Sequence, residues 1–408
     1  LPYIYDHDIL DYNDTQLMVK LTETGVTQFV ATSVNCLQPF LQNLVLPDIE
    51  TKVIGIQIVL NEIKLQDFFI PNASFQFLGN NAALAIIKGL QLNFQFQFRV
   101  QQNTYPYIQD RGSGSMHLVT DLIVEGEPEM SKNCKNHLQI KQNRFEIIIQ
   151  HLKIKMSGKL EFIYDALLVP LTAVLTEIFN SQLSEQFSRQ LGVILNEQLD
   201  VNYQMTVTEG NSPMGRGGPY NGDVRWIDVS VDKQFITALQ PNQMLLKAAD
   251  NDYYLQGWTD VVVQKTASLV TNNHIQFLIQ KGAFQSCLNA FKATFTSFKQ
   301  VQILAEKFAR TGLLVHIKDQ DFEALLNIGI EAELYRSVSF TNDTRFVMQK
   351  ARIVEHSGDL EKTTSFVDEL FFYRRHIVTA ASLTNAMKSD ECIVIYADEN
   401  WINVGCDF

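Results

Sequence analysis

The sequence predicts an α+β protein of two tandem domains, each a highly curved antiparallel sheet wrapped on a long helix. Three observations lead there. From Val53 to about Ile154, apolar and polar residues alternate with a period of two, in segments broken by Gly, Asn and Pro, which is the pattern of a long antiparallel meander. Long stripes of apolar residues at three- and four-residue steps flank that meander. Past a stretch rich in Gly, Pro, Asn and Ser at 209–222, "EGNSPMGRGGPYNG", the order helix, meander, helix partly recurs. The expected division is therefore 1–208, a linker at 209–222, and 223–408. At 408 residues the chain can bury two cores of ordinary size.

Taken in order, the first helical pattern runs from about Gln16 to Leu44, with Val26, Phe29, Val30, Leu37, Phe40, Leu41 and Leu44 on one stripe. "LPD" at 46–48 ends it, because proline cannot donate to the preceding turn and restricts the residue before it. Five strand-like segments follow. The clearest is "LQLNFQFQFRV", 90–100, which places Leu90, Leu92, Phe94, Phe96, Phe98 and Val100 on one face and Gln91, Asn93, Gln95, Gln97 and Arg99 on the other. A second helical stripe spans Leu167 to Leu199, about nine turns, with Leu171, Leu175, Ile178 and Phe179 among its apolar residues. Pro170 there marks a first turn or a kink.

In the C-terminal half, strand-like segments around Val224 to Val263 lead to a helix carrying Phe284, Cys287, Leu288, Phe291, Phe295 and Phe298 on one stripe. Strands from about Leu313 to Val354, a helix from about Thr363 to Met387 and one last strand in "CIVIYADENWINVG" complete the pattern.

The formal net charge of −12 offers phosphates no general attraction, so nucleic acid is not an expected partner. The longest strongly apolar stretch, "ALLVPLTAVL", is too short to cross a bilayer. No GxSxG, HExxH, Walker or GxGxxG motif occurs in a usable context, and no catalytic residue is assigned. Cys134 and His137 form a C-x-x-H pair without further ligands at zinc spacing. The acidic "DHDILDYND", 6–14, lacks the glycine and terminal glutamate of an EF-hand loop and reads as a solvated arm, so no metal is expected. Sequons begin at Asn13, Asn72 and Asn342, and five cysteines make no disulfide scaffold.

What remains is the amount of apolar surface on very long elements. Either helix and sheet cover each other completely, or part of the seam takes up acyl chains, at about 0.8 kcal/mol per buried CH2. Pattern alone leaves both open.

"LTETGVTQFVATSVNCLQPFLQNLVLPDIE", "FNSQLSEQFSRQLGVILNEQL" and the terminal "CIVIYADENWINVGCDF" resemble, in type and order, segments of the bactericidal/permeability-increasing protein family, which includes lipopolysaccharide-binding, phospholipid transfer and cholesteryl ester transfer proteins. The resemblance implies two tubular lipid-binding domains in an elongated, boomerang-like molecule. It implies a non-enzymatic lipid-binding or lipid-transfer function, bound phospholipid with no other cofactor, and an extracellular or secretory-lumen location. Candidate pocket walls, from the paired helix-meander-helix pattern, are Val26, Phe29, Val30, Phe94, Phe96, Phe98, Leu171, Leu175, Ile178 and Phe179 in the N-terminal half, and Phe284, Leu288 and Phe291 in the C-terminal half.

Two departures stand out. The family commonly bridges a strand cysteine, here matched by Cys134, to the second helix, where this chain has Ser184; Cys134 is thus expected to be a free thiol. The tip hairpin of the endotoxin-binding members is rich in Lys and Arg, whereas "QQNTYPYIQDRG", 101–112, has one arginine. Peripheral membrane contact, if made there, would use Tyr105, Tyr107 and Ile108 in shallow insertion, the alternative being a plain turn between strands. The rival functions are an interaction subunit of a larger assembly with protein partners, and endotoxin recognition.

Overall fold

The computed structural model describes residues 17–28, 46–105, 107–130, 138–159, 161–180, 188, 192–193, 196, 220–222, 227–240, 244–247, 253–255, 273–292, 297–336, 342–372, 378–379, 392–396 and 398–407. In the N-terminal half the meander is β2 (Ile49–Val53), β3 (Ile56–Phe69), β4 (Asn72–Phe77), β5 (Ala83–Gln102), β6 (Ile108–Met130) and β7 (Leu138–Ser157), all paired antiparallel. β3 and β4 lie end to end along β5, broken at Pro71, which has no N–H to give a ladder. Across that break Gly89 takes φ +68° and donates its N–H to the Asp121 carboxylate at 2.8 Å.

The period-two alternation does what it predicts. Leu92, Phe94, Phe96, Phe98 and Val100 are all buried, while Gln95, Gln97 and Arg99 face outward. Burying each of those phenylalanines contributes about 1.5–3 kcal/mol. The neighbouring strand makes room for them with glycine: a Cβ on Gly114 would stand 2.3 Å from the Phe96 ring, and one on Gly112 2.8 Å from the Phe98 ring. Gly114 and Gly112 are the direct cross-strand partners of those two residues.

Helix α1 (Glu161–Ile178) lies on this inner face and contributes Tyr164, Leu167, Leu171 and Leu175 to the same core. Pro170 sits mid-helix rather than in the first turn. The inner face and helix are pinned at one end by Tyr164, whose ring meets Phe98 edge-on at 5.2 Å and whose hydroxyl donates to the buried Asp110 carboxylate.

The first helical pattern needs correction. Residues 17–22 are a strand, β1 (Leu17–Thr22), and the helix begins only at 23. β1 lies between β10 (Phe235–Gln240) and β13 (Ile275–Gln280). The first described segment is thus built into strands from beyond residue 222. Their six-stranded sheet also holds β9 (Asp228–Val231), β19 (Ile393–Tyr396) and β20 (Trp401–Cys406), in the order β19-β20-β13-β1-β10-β9.

Three further expectations change. The end of the expected linker is a short strand, β8 (Tyr220–Gly222), paired with β11 (Met244–Lys247), which also pairs with β12 (Tyr253–Leu255). The last strand is a hairpin, β19–β20, closed by a Cys392–Cys406 disulfide. The helix expected at 363–387 is α3 (Leu360–Phe372); residues 378–379 belong to a strand, β18 (Val378–Thr379). It starts where Asp359 accepts the Lys362 N–H at 3.1 Å, an N-cap.

The second meander is β14 (Gln302–Ala309), β15 (Gly312–Lys318), β16 (Phe322–Arg336) and β17 (Asn342–Gly358), with β18 at its edge. Helix α2 (Lys281–Lys292), α3 and this sheet close one core around Phe284, Leu288, Phe308 and Phe366.

Candidate functional site

The inner face of the N-terminal sheet is graded along its strands. From the row of Val100 and Asp110 to the row of Leu90 and Thr120 it is sealed by side chains of the sheet and of α1. Thr120, buried there, donates its hydroxyl to the Ile148 carbonyl at 3.0 Å, so the sealed region has no polar debt at that point. Beyond it, Ile87, Val124, Phe145, Ile147 and Ile149 are only partly buried, facing the last turns of α1 with Val174 and Ile178. The rows are set by pairing: Ile87 with Leu122 and Leu122 with Ile147, then Ala85 with Val124 and Val124 with Phe145. This half-covered end is an apolar strip on a sheet opposite an apolar helix edge. Chemically it can do one thing, which is to accept further apolar surface.

The residues expected to line a pocket divide along this gradient. Phe94, Phe96, Phe98, Leu171, Leu175 and Phe179 are brought together, in the sealed part. Ile178 lies at the half-covered end. Val26 is not on this seam: it packs with Phe77 and Val231, between the N-terminal sheet and the six-stranded sheet. Phe29, Val30 and Cys134 lie outside the described residues, as does Ser184. Phe284 and Leu288 are fully enclosed in the C-terminal core beside Cys287, a thiol outside any disulfide whose pKa burial pushes well above its ordinary range. The side chain of Phe291 is outside what is described. Phe145, Ile147 and Ile149 escaped the sequence reading because "RFEIIIQ" is nearly continuous in apolar residues and its period does not declare a face.

At the other end of the strands, the β5–β6 turn projects Tyr105, 88% exposed, and Tyr107, 79% exposed. Ile108 does not join them; it is half-buried and packs against the core. Their exposed apolar neighbour is Ile54, at 73%, in the β2–β3 turn, because Gln57 pairs with Gln101 and so sets the two turns side by side. Ile54 and Gly55 have φ of 50° and 80°, the turn a two-residue hairpin requires. No group of side chains suited to hold a metal ion occurs among the described residues.

Residues 28–194 match the sequence model of the LBP / BPI / CETP family, N-terminal domain. That span is LBP/BPI/CETP-like. The fold agrees over nearly the whole chain: the crystal structure of lipopolysaccharide binding protein superposes with a TM-score of 0.56 at 9% identity, covering 97% of this chain and 99% of that one. Takeout 1 of Epiphyas postvittana aligns with a TM-score of 0.31 at 13% identity over 43% of this chain and 89% of that one, and P47 of Clostridium botulinum E1 with 0.24 at 9% over 96% and 98%. No curated protein matches the sequence. The LBP/BPI/CETP-like region, 28–194, takes in the graded seam, the tyrosine turn and helix α1.

Proposed function

We propose that this chain is a non-enzymatic lipid-binding or lipid-transfer protein that holds phospholipid acyl chains in its N-terminal seam. The observation that carries the reading is the half-covered strip of Ile87, Val124, Phe145, Ile147 and Ile149, opposite Val174 and Ile178, inside the LBP/BPI/CETP-like span. Each CH2 an acyl chain buries there is worth about 0.8 kcal/mol. The sealed phenylalanines act as the floor of the site and the strip as its wall. In this reading two lipid-binding units meet near the 209–222 stretch, and the C-terminal core around Phe284 and Leu288 is the counterpart of the N-terminal one. Contact with a membrane uses the exposed Tyr105 and Tyr107, at the opposite end of the strands from the strip. An oxidising compartment, extracellular or secretory, suits the Cys392–Cys406 bridge. No described helix is long and apolar enough to cross a membrane.

The test places a charge on the wall. Ile147→Glu and Ile178→Glu each put a carboxylate where the acyl chain would lie, at half-buried positions that tolerate the change better than the core. Extracted lipid per mole of purified protein should fall severalfold in both, with the far-ultraviolet circular dichroism unchanged. Lipid content equal to wild type in both variants would exclude this strip as the site.

A further inference from the structure

The outer face of the same sheet carries a charge pattern that the seam does not use. On β5, β6 and β7 the outward rows near the tyrosine turn contain Arg99, Arg111, Lys153 and Lys155, all exposed, together with His117 and His151. No outward carboxylate lies on these three strands between 91 and 101, 109 and 119, or 151 and 157; Asp110, the only acid there, is buried inward. Arg99 and Arg111 are direct cross-strand partners, an arrangement in which two like charges repel. None of the four cations has an ion-pair partner among the described residues. At the far end of β6 and β7 the opposite holds, where Lys141 pairs with Glu127, and Arg144 with Glu146 at 2.8 Å. The chain's net charge of −12 makes the unneutralised cluster a local exception.

Between the cations the surface is amide and hydroxyl: Gln95 opposite Ser115, which pairs with Lys155, and Gln97 opposite Ser113, which pairs with Ser157. From the Arg99–Arg111 row to the His117–Lys153 row the face runs about 20 Å along the strands and three strands across. A bilayer met by the tyrosine turn reaches only the first of these rows. A chain-like anion rich in hydroxyls can follow all of them, its acidic groups on guanidinium and ammonium and its hydroxyls on amide and serine.

We propose that this outer face is a docking site for a sulfated polysaccharide. It is independent of what the seam holds. The probe is heparin, measured by titration calorimetry on the intact chain at low and physiological salt, with fully desulfated heparin and phosphatidylserine vesicles as comparison ligands. Wild type should bind heparin, more weakly as salt rises, and should ignore the desulfated polymer. The double variants Arg99→Gln/Arg111→Gln and Lys153→Gln/Lys155→Gln should each weaken heparin binding roughly tenfold or more, the size expected when charge-assisted hydrogen bonds are lost. Lys141→Gln, at the neutralised end, should change it little. The proposal is overturned if wild type does not bind heparin, if both double variants bind as wild type does, or if the same residues are needed for phosphatidylserine vesicles and not for heparin. Because all four side chains are exposed, circular dichroism should show every variant folded, and two separate pairs keep the result readable if one is not.

Discussion

Ile54 is a β-branched residue held at φ 50°, a left-handed conformation that costs about 1–2 kcal/mol for an L-residue with a side chain. Asparagine is the ordinary choice before Gly55 in such a turn. A strained, exposed isoleucine beside Tyr105 and Tyr107 makes structural sense as an apolar contact rather than as a turn residue. Ile54→Asn should therefore raise thermal stability, by the order of 1 kcal/mol, while reducing flotation with neutral phosphatidylcholine vesicles. Tyr105→Ser with Tyr107→Ser should reduce flotation further, and added salt should change wild-type binding to these vesicles little. Flotation of both variants equal to wild type would leave 103–107 as a plain turn. The two tyrosines and their exposure were readable from "NTYPY"; Ile54 was not, because its place beside them depends on the pairing of Gln57 with Gln101, a register no local pattern announces.

Elements whose partners are close in sequence were legible, and those whose partners are distant were not. The 90–100 strand showed its face because the alternation is strict and its neighbours lie in adjacent hairpins. β1 also alternates, with Leu17 and Val19 buried, yet it was read into the following helix because its partners lie at 235–240 and 275–279. The same distance effect hides how the two halves join. Asn81, at φ 64°, accepts the Val231 N–H on its side-chain oxygen at 2.8 Å, donates its own backbone N–H to the Val231 carbonyl at 3.2 Å, and gives its amide nitrogen to the Pro128 carbonyl at 3.3 Å. One residue thus ties the β4–β5 turn to β9 and β6, over the small cluster of Val26, Phe77 and Val231. Asn81→Ala removes the side-chain bonds and leaves a residue that resists positive φ. It should cost about 2–3 kcal/mol, and hydrogen exchange at the Val231 amide should accelerate while that of the β5–β6 ladder stays slow. Uniform protection loss across both sheets would mean that the junction and the N-terminal sheet open as a single unit.

At the scale of the whole molecule, α+β class and the recurrence of sheet and helix were visible in the periodicities, whereas the location of an open seam was not. Many strongly patterned residues, Phe94, Phe96, Leu171 and Leu175 among them, ended in the sealed core, because strict alternation and strict helical spacing mark the face that packs inward, whereas Ile178 on the same helical stripe lies at the half-covered end. On the sheet side, the half-covered wall draws on segments with blurred periods, such as "RFEIIIQ". Whether the fold carries lipid is decided by native mass spectrometry of the protein, purified without detergent and followed by collisional release and lipid identification. A lipid carrier should show a population heavier than the 408-residue chain by the mass of one or two diacyl lipids, released on activation and identified as phospholipid. A single species at the mass of the bare chain, unchanged after incubation with phospholipid vesicles, would contradict it.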